Sequence, residues 1–221
     1  MKEADMKALM LAGPILSMTA GYINVTGIYS VTVAHHSGNI TKIADAIFIL
    51  DIDNVLLLTG IVVAFFLGAM ASGYLTGDNK FKIGRSYGAT LLLESFFLLL
   101  SWALLGAVKN FGTMCAAFAL GVQNAMATQY SGAVLRTTHV TGTVTDIGNI
   151  IGQIIRGEKN NAWKLKILVP LLGGYFIGGI IGRAFFLFLS ENALLIPTGV
   201  TGSVAVYYLT SGYVREASEN L

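Results

Sequence analysis

The 221-residue chain is 54% hydrophobic and only 12% charged, about half the charged fraction of an average soluble domain. Its net charge of +2 is too small to indicate binding to nucleic acid. Residues 55–77, 110–135 and 192–214 contain no charge, and residues 86–108 contain only Glu94. Each stretch is long enough to cross the roughly 30 Å hydrocarbon layer of a bilayer. The composition therefore predicts a polytopic membrane protein.

The chain lacks the sequence signatures of common enzymes and metal sites. It contains no P-loop, no H-E-x-x-H motif and no G-x-S-x-G motif. Cys115 is the only cysteine, so an internal disulfide or a cysteine cluster cannot form. We therefore expect no enzymatic activity, no metal and no cofactor.

The first half of the chain is predicted to contain three full spans and one short helix. The apolar run after residue 7 is longer than the hydrophobic region of a signal peptide and lacks a clear cleavage site, so we expect a retained first span. β-branched residues before Ser37 indicate extended backbone, and Ser37 or Asn39 is expected to cap the helix that follows. The predicted elements are a span at 8–28, extended backbone at 29–36, a short helix at 40–50 and spans at 55–76 and 86–108.

The second half repeats this order. An apolar helix gives way to a polar, β-branched run that contains Arg136 and His139, and a second short helix follows. This is the most informative stretch of the chain, because its polar side chains lie in a sequence that is otherwise mostly hydrocarbon. The predicted elements are a span at 111–129, the β-branched run at 134–140, a short helix at 142–155 and spans at 167–190 and 192–214.

The distribution of lysine and arginine favours six crossings. If the two short helices enter the membrane and return, ten basic residues lie on the cytoplasmic side, only Lys42 and Lys109 lie outside, and Arg136 and Arg183 lie at membrane depth, in agreement with the positive-inside rule. If all eight apolar segments cross, the excess falls to eight against three. We therefore expect both termini in the cytoplasm, a first repeat at 1–108 and a second repeat at 109–221.

The two halves resemble each other at glycine and polar positions in the same order. Each half crosses the membrane three times, so the halves must be inserted in opposite senses, as in the inverted repeats of many secondary transporters. The expected fold is an all-α membrane protein with six transmembrane helices and two half-helices, arranged as a 3+3 inverted repeat. The corresponding positions are Gly21 and Gly121, Asn24 and Asn124, Ser37 and Thr141, Gly38 and Gly142, and 66–68 and 176–178.

Four motifs also resemble the YoaK-like family of bacterial membrane proteins. They are AGYIN at 20–24, SGN at 37–39, GVQNA at 121–125 and RTTHVTGT at 136–143, and the last two are the most specific. The resemblance implies a six-span protein of the bacterial inner membrane. It implies no named substrate, because the family is a domain of unknown function. The family usually has Asp where Asn24 stands and Thr where Ser37 stands, so a carboxylate that could couple transport to protons or cations is missing at the first of these positions.

The starts of the two short helices are the predicted binding site. Inverted insertion brings Ser37 and Thr141 together near mid-depth, where unpaired N–H groups and two helix dipoles favour an anion or the electron-rich edge of a polar solute. The predicted solute-binding residues are Asn24, His36, Ser37, Gly38, Asn39, Gln123, Asn124, Arg136, Thr138, Thr141, Gly142 and Thr143.

Each of these residues also has a purely structural interpretation. Arg136 could contact an anion or serve only the topology of a cytoplasmic loop. Threonine hydroxyls could coordinate a solute or satisfy backbone at a helix start. Asparagine and glutamine could join neighbouring helices by hydrogen bonds, and the glycines could allow close approach of another backbone.

Glu94 and Arg183 are the two clear ionisable residues inside full spans. They could pair with each other, or Glu94 could be protonated and carry protons. Gly174, Gly178 and Gly182 form a G-x-x-x-G-x-x-x-G face, which predicts a close helix–helix contact within the chain or across a dimer.

Taken together, the patterns favour a secondary transporter, or a channel, for a small polar or anionic solute. The alternative is a membrane scaffold, sensor or accessory subunit, whose centre would be dry and sealed. An intramembrane enzyme would require Glu94 and a histidine in one cavity. The expected partners are the lipid bilayer, the solute and a second copy of the chain in a homodimer, with no nucleic acid.

Overall fold

The computed structural model describes residues 3–25, 31–77, 84–132 and 135–210, and all regular structure within these ranges is helical. Parts of the predicted elements, at 26–30, 134 and 211–214, lie outside the described residues. Short 3₁₀ helices at Ala162–Lys164 and Ser190–Leu194 precede the last two α-helices. The α-helices are α1 Glu3–Val25, α2 His36–Phe48, α3 Ile52–Thr76, α4 Arg85–Leu105, α5 Lys109–Tyr130, α6 Val140–Ile155, α7 Leu165–Leu189 and α8 Leu195–Thr210.

The helical elements include three stretches that are long and apolar enough to cross a membrane: Ile52–Thr76, Arg85–Leu105 and Ala162–Thr210. The protein is thus an all-α membrane protein. Helices α1 and α5, with 23 and 22 residues, are about as long as the helices of these stretches, but they are more polar. In α5 the reason is its central position, since 13 of its residues are buried against other helices and need not be apolar enough to face lipid.

Glycines bring α1 and α7 into close contact. A Cβ atom at Gly174, Gly178 or Gly182 would overlap the carbonyl oxygen of a residue on α1, respectively Pro14, Met18 and Tyr22. These residues lie at every fourth position on both helices, so the contact continues over three turns. The close helix contact predicted from the G-x-x-x-G-x-x-x-G face is confirmed, and it lies within the chain.

The contact between α3 and α5 has the same construction as the contact between α1 and α7. In both pairs of helices, glycines face backbone carbonyl groups at corresponding points of the two halves. Helix α4 lies between α5 and α8 and completes the bundle. The corresponding pairs of glycine and carbonyl are Gly21–Tyr175 and Gly121–Phe65, and Gly178–Met18 and Gly68–Phe118.

The two short helices begin earlier than the sequence predicts. Helix α2 starts at His36 and α6 at Val140, and the residues that precede them, His35 and His139, take the N-cap positions without a side-chain cap. The predicted cap by Ser37 or Asn39 is therefore wrong. With 13 and 16 residues, the helices are about 20 and 24 Å long at 1.5 Å per residue.

The segments predicted to be extended before these helices are not helical within the described residues, but they form no strand there. Residues 31–35 and 135–139 are irregular, with a turn at Thr137–Thr138. A strand needs a neighbouring strand to satisfy its amides, and asparagine side chains from α1 and α5 take that role at both places. A run of β-branched residues thus indicates non-helical backbone but does not identify its hydrogen-bond partner.

Candidate functional site

A cavity of about 460 Å³ lies between the starts of α2 and α6. Both halves of the chain contribute to its wall, and they do so through corresponding elements. The first half contributes Asn24, Ala34, His35, His36, Ser37 and Phe65, and the second half contributes Asn124, Arg136, Thr138, His139, Val140, Thr141 and Tyr175.

The cavity gathers more than half of the predicted binding residues. Asn24, His36, Ser37, Asn124, Arg136, Thr138 and Thr141 line it. The other five predicted residues, Gly38, Asn39, Gln123, Gly142 and Thr143, are not part of its lining. A binding role for any of the twelve residues remains a prediction.

Asn24 holds the irregular backbone before α2. Its side-chain oxygen accepts hydrogen bonds from the amides of Val33 and Ala34, both at 3.1 Å. Its side-chain nitrogen donates to the Tyr175 hydroxyl on α7 at 2.8 Å. The side chain therefore fixes the chain interruption and also joins α1 to α7, as the structural interpretation of this residue expected.

Asn124 has the same role in the second half, with longer hydrogen bonds. Its side-chain oxygen accepts from the Thr138 amide at 3.3 Å and from the Thr137 hydroxyl at 3.4 Å. The two asparagines thus occupy corresponding places, Asn24 next to the last residue of α1 and Asn124 six residues before the end of α5. Each of them turns the backbone toward the start of a short helix.

The first turns of both helices line the cavity and contain amides without an acceptor within the helix. The first intrahelical bonds are donated by the amides of Asn39 and Thr143 to the carbonyl oxygens of His35 and His139, at 3.1 and 3.0 Å. The amides of 36–38 and 140–142 precede these bonds, and neither helix has a side-chain cap. Amides in this position require water or a ligand as acceptor.

His35 and His139 are wall residues that sequence reasoning left out of the predicted site. Their rings lie over the first helical turn, beside Gly38 and Gly142. A Cβ at Gly38 would lie 3.3 Å from His35 Nδ1, and one at Gly142 would overlap the His139 ring. The glycines thus make room for a histidine ring, rather than for another backbone as expected. The signal was visible, because each histidine precedes its glycine by three residues.

Phe65 and Tyr175 were also missed, and they form corresponding parts of the wall on α3 and α7. The Phe65 ring packs against the His36 ring at a centroid distance of 4.2 Å. Both His36 ring nitrogens are buried and lack a hydrogen-bond partner within the described ranges. The wall therefore combines the apolar Phe65 ring with polar side chains.

Arg136 supplies positive charge to the cavity. The side chain is exposed and also borders a smaller adjacent cavity. Among the residues that the structure describes, no carboxylate lines the main cavity and none forms an ion pair with Arg136. The wall therefore carries a cation and two sets of helix-start amides, which together attract negative charge.

The threonine hydroxyls divide into two groups. Those of Thr143 and Thr145 donate to the carbonyl oxygens four residues earlier, at 2.9 and 3.0 Å, and Thr143 is buried. The exposed Thr141, like Ser37 in the first half, lines the cavity. Backbone bonding thus accounts for Thr143, and Thr141 remains in a position to contact a solute.

Glu94 lies away from the cavity and pairs with Gln123. The Gln123 side-chain nitrogen donates to Glu94 Oε1 at 3.0 Å, and both residues are fully buried. Arg183, the partner considered from the sequence, is exposed and lies 5.5 Å from the Phe186 ring centroid. Since Arg183 lies six residues from the end of α7, its side chain can reach toward the membrane surface.

Comparison with known proteins identifies a family whose function is unknown. The family described as "Protein of unknown function (DUF1275)" matches residues 12–207. The chain belongs to this family. The match includes all four motifs on which the resemblance to YoaK-like proteins was based, and that resemblance is confirmed.

One curated relative supports the membrane assignment. The chain is 35% identical over 81 residues to a UPF0700 transmembrane protein of Rhizobium meliloti (strain 1021). The match covers 37% of this chain and 35% of the relative, so the chain spans about a third of that protein's length. No solved structure matches the chain.

Proposed function

We propose that this DUF1275 protein is a secondary transporter of the bacterial inner membrane, which binds a small anionic or polar solute between the starts of α2 and α6. The observation that carries the proposal is a cavity of about 460 Å³ to which both helix starts and Arg136 contribute. Cavities of this size are typical of small-molecule sites.

The proposed topology is six crossings in a 3+3 inverted repeat, with α2 and α6 as half-helices and both termini in the cytoplasm. Three observations support it. The glycine–carbonyl contacts of α1 with α7 recur between α5 and α3. Asn24 and Asn124 hold corresponding interruptions. Helices α2 and α6, at about 20 and 24 Å by their rise per residue, are shorter than the hydrocarbon layer.

The electrostatics of the wall favour an anion. Each helix start has the equivalent of about half a positive charge, and Arg136 adds a full charge without a carboxylate among the described lining residues. The Phe65 ring in the wall suits a solute with a small hydrocarbon part, such as a short carboxylic acid.

Alternating access is proposed to occur at the two aromatic wall residues. Phe65 and Tyr175 border the cavity from corresponding positions of α3 and α7. Motion of α3 or α7 against the helix starts would open the cavity to one side of the membrane at a time. The scaffold alternative expects a sealed centre in which polar groups bond to each other, and helix-start amides that border a cavity do not favour it.

The test is a thermal-shift screen of the purified protein in detergent. The panel consists of phosphate, sulfate, nitrate, formate, acetate, lactate and succinate, with uncharged uracil as the comparison. A bound anion at 100 times its dissociation constant should stabilise the fold by about 2.7 kcal/mol. We expect at least one anion of the panel to raise the melting temperature.

Two arginine variants make the screen specific. Arg136→Ala should lose the anion-dependent rise, because it removes the cation from the cavity. Arg183→Ala removes an exposed arginine outside the cavity and should keep the rise. An equal rise in the Arg136→Ala protein, or none with any anion in the wild type, would contradict the proposal.

A further inference from the structure

A second polar site lies inside the bundle, at the middle of α4. Glu94 is nine residues from the start of this 21-residue helix and is fully buried. Helix Arg85–Leu105 is one of the stretches long and apolar enough to cross the membrane. On the same face of α4, Leu91 and Leu98 are 2% and 0% exposed. The carboxyl group is therefore surrounded by protein at the depth of the bilayer centre.

The hydrogen bonds of this carboxyl group are incomplete in a particular way. Gln123 Nε2 donates to Glu94 Oε1 at 3.0 Å. The two remaining oxygens of the pair, Glu94 Oε2 and Gln123 Oε1, are buried and lack a partner within the described ranges. In an ionised glutamate both of these atoms are acceptors, so neither can satisfy the other.

No cation in the described part of the chain compensates the carboxyl group. Within it, no lysine, arginine or histidine forms an ion pair with Glu94. The titratable group beside it is the Tyr87 phenol on α4, whose ring contacts the rings of Tyr130 on α5 and Tyr208 on α8. Helix α3 and the 3₁₀ helix before α8 also pack against α4, and their charged side chains are exposed.

We propose that Glu94 is a proton-binding site in the membrane interior and that it is held as the neutral acid, paired with Gln123. A proton on Oε2 forms an O–H group, which is a donor for the free Gln123 Oε1. The carboxylic acid and the primary amide then exchange two hydrogen bonds. A buried charge without a partner is avoided.

Glu94 is linked to the candidate solute site through α5. Gln123 precedes Asn124, and the Asn124 side-chain oxygen accepts a hydrogen bond from the Thr138 amide at the cavity wall. Release of the proton breaks one of the two bonds to Gln123 and leaves a charge beside α5, one residue from the helix position that holds the second chain interruption. On the proposed transport function, Glu94 supplies a proton as the coupling ion.

The direct test is infrared spectroscopy of the full-length protein in detergent. The wild type should show a carbonyl band of a protonated carboxylic acid that shifts in deuterium oxide and persists at neutral pH. Glu94→Gln should remove this band and, since glutamine has the shape of the neutral acid, should stay folded. Glu191→Gln, which removes an exposed carboxyl group, should leave the band unchanged.

Gln123→Leu provides a second readout. It removes the amide that bonds to the acid, so the band should move to higher frequency without loss of intensity. A wild-type spectrum without an acid band at neutral pH would overturn the proposal, and this result does not depend on any variant being folded. If that happens while the anion-dependent thermal shift persists, the proton site fails and the solute site stands.

Discussion

The starts of α2 and α6 have the same arrangement of supporting residues but differ in charge. At both, an asparagine holds the irregular backbone, a histidine takes the N-cap position, and a glycine makes room for the histidine ring. The formal charge comes from one side alone, since Arg136 belongs to the second half and the corresponding part of the first half carries Thr32. On the proposed transport function, the repeated elements build the cavity and the unrepeated arginine selects what enters it.

The first half also has a pair of hydrogen bonds between Thr32 and Asn39 that the second half lacks. Asn39 is buried, donates to the Thr32 carbonyl oxygen at 2.9 Å and accepts from the Thr32 hydroxyl at 3.2 Å. At the corresponding place in the second half, the Thr143 hydroxyl donates to its own helix, to the His139 carbonyl oxygen. We infer that the first helix start is the more firmly fixed of the two.

The largest expected effect tests whether the glycine–carbonyl contacts between helices are equally close in both halves. Gly21→Ala and Gly121→Ala each place a methyl group on a backbone carbonyl oxygen of the neighbouring helix. Because main chain cannot rotate away, we expect each change to destabilise the fold by about 3 kcal/mol or more. The measurement is the melting temperature in detergent, together with the fraction of protein that elutes as a single species.

Gly173→Ala is the matched control for these two variants. A Cβ at Gly173 meets open space, so the melting temperature should not fall. A large loss for only one of Gly21→Ala and Gly121→Ala would show that the two helix pairs are not equivalent, and the correspondence between the two halves would then be wrong.

A smaller effect distinguishes the two asparagines. Asn24→Leu leaves two amides and the Tyr175 hydroxyl without their partner, whereas Asn124→Leu removes two long, weak bonds. We expect a loss of about 3 kcal/mol for Asn24→Leu and about 1 kcal/mol for Asn124→Leu. Chemical or thermal unfolding of both variants checks the order, and the reverse order would mean that the second start is the more firmly fixed.

The smallest effect concerns the N-terminal caps of α3 and α7, the long helices that follow α2 and α6. Asp51 caps α3 by accepting from the side chain and the amide of Asn54, at 2.7 and 3.2 Å, and these bonds lower the pKa of Asp51. Helix α7 begins after Lys164 without a side-chain cap. Since the pKa is lowered on folding, the cap stabilises at pH values above the pKa of the unfolded chain, about 3.9, and is lost as the pH falls through the folded value.

The variant that tests this cap is Asp51→Asn. It should have a slightly lower melting temperature than the wild type at neutral pH, and the difference should disappear in acid. Asp45→Asn removes an exposed carboxyl group from α2 and should not reproduce this pH dependence. A difference that grows in acid would contradict the assigned sign.

Much of the helix order could be predicted from the sequence, because apolar stretches and the polar break are local signals. The helix starts could not, since they are fixed by tertiary contacts: Asn24 and Asn124 reach backbone nine to fourteen residues further along. For the same reason, β-branched residues near Val33 indicated extended backbone but not the Asn24 side chain to which its amides bond.

The residues of the candidate site could be predicted where the alignment of the two halves paired polar residues. They could not be predicted where they depend on contacts between helices far apart in sequence. Ser37 and Thr141 were found from the alignment of the halves, and both line the cavity. Tyr175 was missed because its contact with Asn24 joins two helices 151 residues apart. The pairing of Glu94 with Gln123 joins α4 to α5, and a single sequence holds no signal for it. The homodimer stays a prediction.

The central claim, one cavity shared by both helix starts and charged by Arg136, is tested most directly by thiol labelling. Ser37→Cys and Thr141→Cys, each with Cys115→Ser, would be reacted with an anionic and with a cationic thiol reagent of similar size. We expect both sites to react, and we expect Arg136→Ala to lower the ratio of anionic to cationic rates at both. Thr41→Cys, one turn beyond Ser37, should keep its ratio. An unreactive Ser37→Cys, or a change confined to Thr141→Cys, would contradict the shared cavity.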